Sequence, residues 1–186
     1  MGTRRASYED LEALPPNQVG ELIAGELYAS PRPAIPHAVA SSELGVELAG
    51  PYSRGRGGPG GWRFLDEPEL HLGEDVLVPD LAGWRLERMP TPPREATLSL
   101  APDWLCEVLS PSTAALDRAR KLPVYAREGV RHVWLVDPEA YTLEVLRLEG
   151  AHYTLLVTHA GHARVRAEPF EALELELALL WGQEAR

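Results

Sequence analysis

The chain has 186 residues, of which 45% are hydrophobic and 25% charged, and this size and composition fit one globular domain spanning residues 1–186. Its single cysteine, Cys106, excludes an internal disulfide framework and a thiolate zinc cluster. Apolar runs are far shorter than the roughly 20 residues of a membrane helix, and the N-terminus lacks the apolar core of a signal peptide. We therefore expect a soluble, cytoplasmic protein.

The formal net charge of -10 counts against a protein that binds nucleic acid over a wide surface. Phosphate groups are bound chiefly by Lys and Arg through counterion release. A metal-dependent nuclease nevertheless needs a local acidic cluster, and its basic residues can be confined to one face. Arg54, Arg56 and Arg63 could supply such a face, although a solvated basic loop is the commoner explanation of such a charge run.

The N-terminal part is predicted to contain a helix, a hairpin and a second helix. Ser7 can cap a short helix that ends before two prolines. The segment GELIAGELYAS alternates apolar and polar residues around Gly25, which predicts a hairpin. We expect residues 1–35 to form this helix and hairpin addition, and residues 36–186 to form the core, beginning with a helix over residues 37–49.

The middle of the chain is predicted to supply the central strands. After a loop over residues 50–61, short apolar runs over residues 62–84 are typical of strands. Residues 103–109 (DWLCEVL) are almost continuously apolar, which indicates a strand covered on both faces. A helix is predicted over residues 114–128, with a kink or break at Pro123.

The C-terminal part is predicted to complete the sheet. The runs VRHVWLVD, TLEVLRL and HYTLLVT predict a buried strand followed by a hairpin. A strand, a helix and a further strand in succession indicate an α/β fold with a mixed sheet flanked by helices. His159 and His162 have the spacing of a metal-binding pair, but the intervening Gly161 favours a turn.

Two carboxylates occur inside apolar runs and are candidates for chemistry. Glu107 lies within WLCEVL, where burial of a charge requires a cation or strong hydrogen-bond donors. Asp80 ends the run VLVPD in the same way. Two acids on neighbouring strands can hold a divalent cation. The alternative for Glu107 is a side chain that reaches solvent at the sheet edge or pairs with an arginine.

Lys121 is the third candidate, because a helix that follows a strand can pack back over that strand. Its ammonium would then reach both acids. The alternative is a surface ion pair with Asp117, which lies four residues earlier in the chain.

The motifs VPDLAGW, DWLCEVLSPST and DRARKLPVYAREGVRHVWLVDPEAYTLEVLRL make the chain resemble a family of small bacterial proteins described as putative restriction endonucleases, of the PD-(D/E)XK nuclease superfamily. The resemblance also covers GELIAGELYASPRPAIPH, and so almost the whole chain. It implies a restriction-endonuclease-like mixed β-sheet flanked by helices, with an N-terminal hairpin addition. The motif would place its lysine at position 109, which is Leu109 here, so the resemblance implies a lysine shifted from strand to helix.

The resemblance also implies an activity, namely hydrolysis of DNA phosphodiester bonds by a Mg²⁺-dependent endonuclease, with Mn²⁺ as a possible substitute. Asp80, Glu107 and Lys121 would be catalytic, and the cation would be held by Asp80, Glu107 and the Val108 carbonyl. A homodimer is expected by analogy with double-strand cleavage. Two alternatives stay open: a non-catalytic nucleic-acid-binding or regulatory module, and a nuclease acting on RNA. Additional polar groups often support such sites, and the candidates are Glu26, His37 and Glu43.

Overall fold

The fold is built on two mixed β-sheets in a computed structural model that describes residues 4–183. The helices are α1 (Tyr8–Glu12), α2 (Ile35–Leu48), α3 (Ala114–Leu116), α4 (Leu122–Arg127) and α5 (Leu177–Leu180), with π-helical turns at Ala49–Ser53 and Asp117–Lys121. The strands are β1 (Gln18–Ile23), β2 (Glu26–Pro31), β3 (Trp62–Asp66), β4 (Glu69–Leu72), β5 (Asp75–Leu77), β6 (Leu81–Arg85), β7 (Thr97–Leu98), β8 (Trp104–Val108), β9 (His132–Asp137), β10 (Thr142–Glu149), β11 (His152–Ala160), β12 (Arg164–Val165) and β13 (Leu175–Glu176).

The larger sheet has six strands in the order β11-β10-β9-β8-β6-β3. Its β8 and β9 are parallel and the remaining neighbours antiparallel. The second sheet has the order β2-β1-β5-β4-β7, and β12 pairs with β13. This arrangement confirms the predicted mixed α/β fold.

Strand β8 is buried along its whole length, as its apolar sequence predicts. Trp104, Cys106 and Val108 lie in one core cluster with residues of α2 and α5. Leu105 and Leu109 lie in the other core cluster, with residues of α4 and of the five-stranded sheet. Both faces of the strand are therefore covered, and any polar side chain on it must find its partners inside the protein.

The predicted N-terminal helix and hairpin are both present. Helix α1 has a capping box, in which the Ser7 backbone N–H donates to the Asp10 carboxylate at 2.8 Å. Strands β1 and β2 form the hairpin, and Leu22 pairs with Val76 of β5. The hairpin is thus one edge of the five-stranded sheet, which brings β1 beside the central strands.

The helix predicted over residues 114–128 is interrupted by the π-turn Asp117–Lys121. The Leu122 N–H donates to the Asp117 carbonyl five residues earlier, and Pro123 directly after it has no N–H to donate. The chain leaves α4 through Gly129, whose φ of +75° is the left-handed conformation that ends many helices.

The remaining predictions concern turns and termini. His159 lies near the end of β11, and a turn at Gly161 separates it from His162, as expected. Cys106 is fully buried and packs in the core. Between residues 4 and 183, none of the helices is long and apolar enough to span a bilayer.

Candidate functional site

Glu107 on β8 is a carboxylate held almost entirely inside the protein, with 2% of its surface exposed. The Tyr125 hydroxyl donates a hydrogen bond of 2.5 Å to its Oε1. The ammonium of Lys121 lies 2.8 Å from the same oxygen. Burial raises the pKa of Glu107 well above its ordinary value, and the charge of Lys121 offsets only part of this effect.

Lys121 is surrounded by three carboxylates and is only 3% exposed. Its Nζ lies 2.8 Å from Glu107, 2.9 Å from Glu21 and 3.4 Å from Asp117. The ion pair with Asp117 that the sequence offered as an alternative is present, but its expected place at the surface is wrong, because both partners are buried. Burial lowers the pKa of Lys121, but the surrounding acids outweigh burial and raise it, so the side chain stays protonated.

Lys121 is the only lysine in the chain, and all other basic side chains are arginines. Arginine has a planar, forked head, whereas lysine has a compact ammonium that fits between several oxygens. The Lys121 ammonium fits this position, because it lies among the oxygens of Glu21, Glu107 and Asp117.

Two members of this cluster, Glu21 and Asp117, were not predicted as site residues. Glu21 lies on β1, is 6% exposed, and accepts a hydrogen bond of 2.8 Å from the Val78 N–H. Its sequence surroundings, GELIAGEL, contain two equivalent acids, Glu21 and Glu26, and only the pairing of the hairpin with β5 decides which one faces inward. The buried Asp117 side chain follows from the π-turn, which the sequence pattern did not predict.

Asp80 lies in the break between β5 and β6, directly after Pro79. Its Oδ2 accepts a hydrogen bond of 2.7 Å from the Val108 N–H, which connects it to the strand of Glu107. Its Oδ1 lies 3.2 Å from Nε2 of His37 on α2. Burial lowers the pKa of His37, but the hydrogen bond and the charge of Asp80 outweigh burial and raise it.

The predicted triad is brought together in one pocket of about 280 Å³. Asp80, Glu107 and Lys121 all line it, as do Val108 and His37. The other two supporting candidates lie outside it. Glu26 is exposed at the hairpin turn, where the Tyr28 hydroxyl donates to it, and Glu43 lies on α2 beside Glu47.

The pocket wall has more acids than bases. Its carboxylates come from Glu21, Glu67, Asp80, Glu107 and Asp117, against the cationic side chains of Arg32 and Lys121 and the imidazole of His37. A cation inside the pocket would reduce the repulsion among these acids.

The donor atoms suit a hard divalent cation. Asp80 and Glu107 provide carboxylate oxygens, the ligands that Mg²⁺ prefers, and the backbone of Val108 lies between them in the pocket wall. Within the described part of the chain, no three His, Cys, Asp or Glu side chains are already grouped as metal ligands. Mg²⁺ is commonly held by one or two carboxylates, with water and substrate oxygens as its other ligands, so the residues present fit it.

The chain matches known proteins over almost its whole length. The family model Uma2, described as "Putative restriction endonuclease", matches residues 5–179. The chain belongs to the Uma2 family. This membership confirms the predicted relation to putative restriction endonucleases, and it is consistent with the PD-(D/E)XK superfamily.

A solved structure has the same fold as this Uma2 protein. It is the crystal structure of a putative nuclease belonging to DUF820 from Anabaena variabilis ATCC 29413, with a TM-score of 0.75 and 22% sequence identity. The similarity covers 95% of this chain and 97% of that chain. No curated protein matches the sequence. The Uma2 family and this nuclease-like fold together support a nuclease.

Proposed function

We propose that the protein is a divalent-cation-dependent endonuclease that hydrolyses phosphodiester bonds in DNA. The observation that carries this proposal is the buried contact of Glu107 with Lys121 in the same pocket as Asp80. A protein does not gain stability by burying several acids around one lysine when apolar residues could fill the same space. Perturbed acids and bases in a pocket are typical of active sites.

Asp80, Glu107 and the Val108 carbonyl would hold Mg²⁺, or Mn²⁺ in its place. When bound, such a cation polarises a phosphate group and lowers the pKa of an attacking water. The hydrogen bond from the Val108 N–H fixes the Asp80 carboxylate, and the Tyr125 hydroxyl fixes the Glu107 carboxylate. Both acids are therefore oriented before any ligand arrives.

Lys121 would neutralise the charge that develops on the phosphate or orient the attacking water. Glu21 and Asp117 keep its ammonium in place at the pocket wall. Two observations support a displaced lysine. Position 109 is a leucine that is 3% exposed and packs in the core, and the Lys121 ammonium reaches Glu107 from the helical segment that follows β8.

The proposal is tested by incubating supercoiled plasmid DNA and a structured RNA with the protein and Mg²⁺ or Mn²⁺. We expect Mg²⁺-dependent cleavage of DNA that falls by about 10³-fold in Asp80→Asn and in Glu107→Gln, the loss typical for removal of a group that stabilises the transition state. Glu43→Gln is the matched control, since it removes a carboxylate outside the pocket. Equal cleavage by wild type and Glu107→Gln would contradict the assignment, and cleavage of RNA alone would change the substrate.

A non-catalytic nucleic-acid-binding module is the second candidate. It is favoured by one observation: the Lys121 ammonium lies 2.8 Å from Glu107 and already balances its charge. DNA binding without cleavage at any Mg²⁺ or Mn²⁺ concentration would support this alternative. The expected homodimer stays a prediction, which sedimentation of the purified protein would test.

A further inference from the structure

We propose that Arg54, Arg56 and Arg85 form an arginine patch that binds the backbone of duplex DNA at a distance from the candidate site. Arg54 and Arg56 lie in the loop after α2, and Arg85 ends β6. This inference rests on the proposed function and extends it, because it assigns a second contact to the same substrate.

The loop that carries Arg54 and Arg56 is folded back on the end of α2. The Arg54 N–H donates to the Ala49 carbonyl at 3.0 Å, and the Arg56 N–H donates to the Gly50 carbonyl at 2.9 Å. The Gly60 N–H donates to the Pro51 carbonyl at 2.9 Å. These bonds hold the two arginines on a defined turn whose neighbouring glycines and proline leave room for another molecule to approach.

The same contacts place Arg85 beside this loop. A Cβ at Gly60 would lie 3.6 Å from the Cα of Gly55, which stands between the two loop arginines. The Gly61 carbonyl accepts the Leu86 N–H at 2.9 Å, directly after Arg85. The Arg85 guanidinium lies over the Trp62 ring, with its Cζ 4.7 Å from the ring centroid, and this contact keeps the side chain near the end of the loop.

The patch differs in charge from the rest of this acidic protein. The sequence has no Asp or Glu between Leu48 and Leu65. Many arginines elsewhere pair with carboxylates, but no ion pair occurs at Arg54, Arg56 or Arg85 among residues 4–183. The nearby acid Asp103 accepts the Arg85 backbone N–H and pairs with Arg88. Guanidinium groups without acidic partners are suited to phosphate oxygens.

Arg63 does not belong to the patch, although it lies close in sequence. Its guanidinium donates to the carbonyls of Met89 and Pro90, at 3.4 and 3.1 Å, and so fastens a loop. The basic face that the sequence suggested is therefore formed by Arg54 and Arg56 together with Arg85, which lies far away in the chain.

A groove of about 600 Å³ runs from the candidate site toward the patch and ends at Ala49, whose carbonyl accepts the Arg54 N–H. It follows α2 from His37, which also lines the catalytic pocket, to Ala49 at the start of the arginine loop. The 14 residues of α2 span about 21 Å at 1.5 Å per residue. This corresponds to about six base pairs of duplex at 3.4 Å each. Asp66 and Glu67 also line the groove, so we expect the phosphate contacts to lie at the arginine patch and at the candidate site rather than along the groove.

The test measures DNA binding in a Glu107→Gln background, with Ca²⁺ present, so that the DNA is not cut. Binding of a 30-base-pair duplex is titrated at several salt concentrations, and a short duplex, a hairpin whose four-base-pair stem is too short to reach from the candidate site to the patch, is compared. We expect Arg54→Ala/Arg56→Ala to weaken binding of the long duplex by about tenfold and to reduce the slope of log Kd against log salt by about two, or roughly 0.9 per lost phosphate contact. Binding of the short duplex should change less than threefold. Arg54→Lys/Arg56→Lys should retain most of the slope.

The matched control is Arg4→Ala/Arg5→Ala, which removes two positive charges near the N-terminal hairpin. Circular dichroism verifies that each variant is folded. An equal loss in the control, or an unchanged salt slope in Arg54→Ala/Arg56→Ala while the DNA still binds, would overturn the patch and leave the nuclease proposal intact. Absence of DNA binding in every variant, together with absence of cleavage by wild type, would overturn both.

Discussion

The two faces of strand β8 are equally buried, yet their chemistry differs. On one face, Trp104 packs edge-to-face against Trp134 and Phe170, with ring centroids 5.3 and 5.1 Å away. On the other face, Glu107 contacts Lys121 and Tyr125. The first face gains stability from apolar burial. The second face contributes less to the free energy of unfolding, because removal of charged groups from water costs free energy. Under the proposed function, the first face serves stability, and the second combines core packing with the chemistry of Glu107.

The largest expected loss of stability distinguishes the aromatic face of β8 from the face that carries Glu107. Trp104→Ala should lower the free energy of unfolding by about 3–5 kcal/mol, because it leaves a large cavity in the aromatic cluster. Glu107→Gln should change it by less than about 1 kcal/mol, because it removes a buried charge while Lys121 keeps Glu21 and Asp117 as partners. Urea unfolding at pH 7 measures both values. A loss of similar size in Glu107→Gln would mean that the second face is also built for stability.

The second-largest loss of stability is expected on removal of the Lys121 ammonium, the positive charge of the buried cluster. Lys121→Met keeps much of the side-chain volume but leaves three buried carboxylates without their ammonium, so we expect a loss of about 3 kcal/mol at pH 7. The loss should depend on pH. Burial already raises the pKa of Glu107, and removal of Lys121 raises it further, since Lys121 is the main group that lowers it.

The sign of this pH dependence follows from linkage. A carboxyl whose pKa is raised in the folded state binds its proton more tightly there than in the unfolded chain. The stability of Lys121→Met should therefore be highest below about pH 4.3, the pKa of an unfolded glutamate, and should fall as the pH rises through the folded value. Asp117→Asn serves as the comparison and should lose less. A loss of only a few tenths of a kcal/mol in both variants would show that the cluster does not depend on the lysine charge.

The smallest effect is expected outside both faces. Glu43 lies near Glu47 on α2, and burial, followed by the charge of Glu43, raises the pKa of Glu47. Glu43→Gln removes the repulsion, so stability should stay within about 0.5 kcal/mol of wild type or rise slightly. Thermal unfolding and DNA cleavage measured together provide the check. A strong loss of cleavage would mean that Glu43 supports the site, as the sequence allowed, although Glu43 does not line the pocket.

Much of the central sheet could be predicted because its signals are local. The apolar run around Cys106 indicated a strand covered on both faces, and one carboxylate within it indicated a special environment for Glu107. Asp80 and Lys121 were also candidates from their local pattern, and the resemblance of their motifs favoured them over the alternative of surface roles. Their proximity in the structure agrees with that resemblance.

The parts that could not be predicted depend on long-range pairing. Glu21 enters the pocket because β1 pairs with β5, a contact between segments more than 50 residues apart. Asp117 enters it through a π-turn, which has no strong sequence signal beyond the following Pro123. Arg85 reaches the loop of Arg54 through the register of β3 and β6. Alternation and periodicity describe single elements and do not determine these contacts.

The most direct test of the central claim uses Lys121 itself, since it is the only lysine in the chain. Protein labelled with [¹³C,¹⁵N]lysine gives one side-chain Cε and one Nζ signal, which can be followed while Mg²⁺ is added. We predict that both signals shift and saturate in wild type, and that neither shifts in Asp80→Asn/Glu107→Gln. Signals that stay unchanged throughout the Mg²⁺ titration of wild type would contradict a cation site beside Lys121.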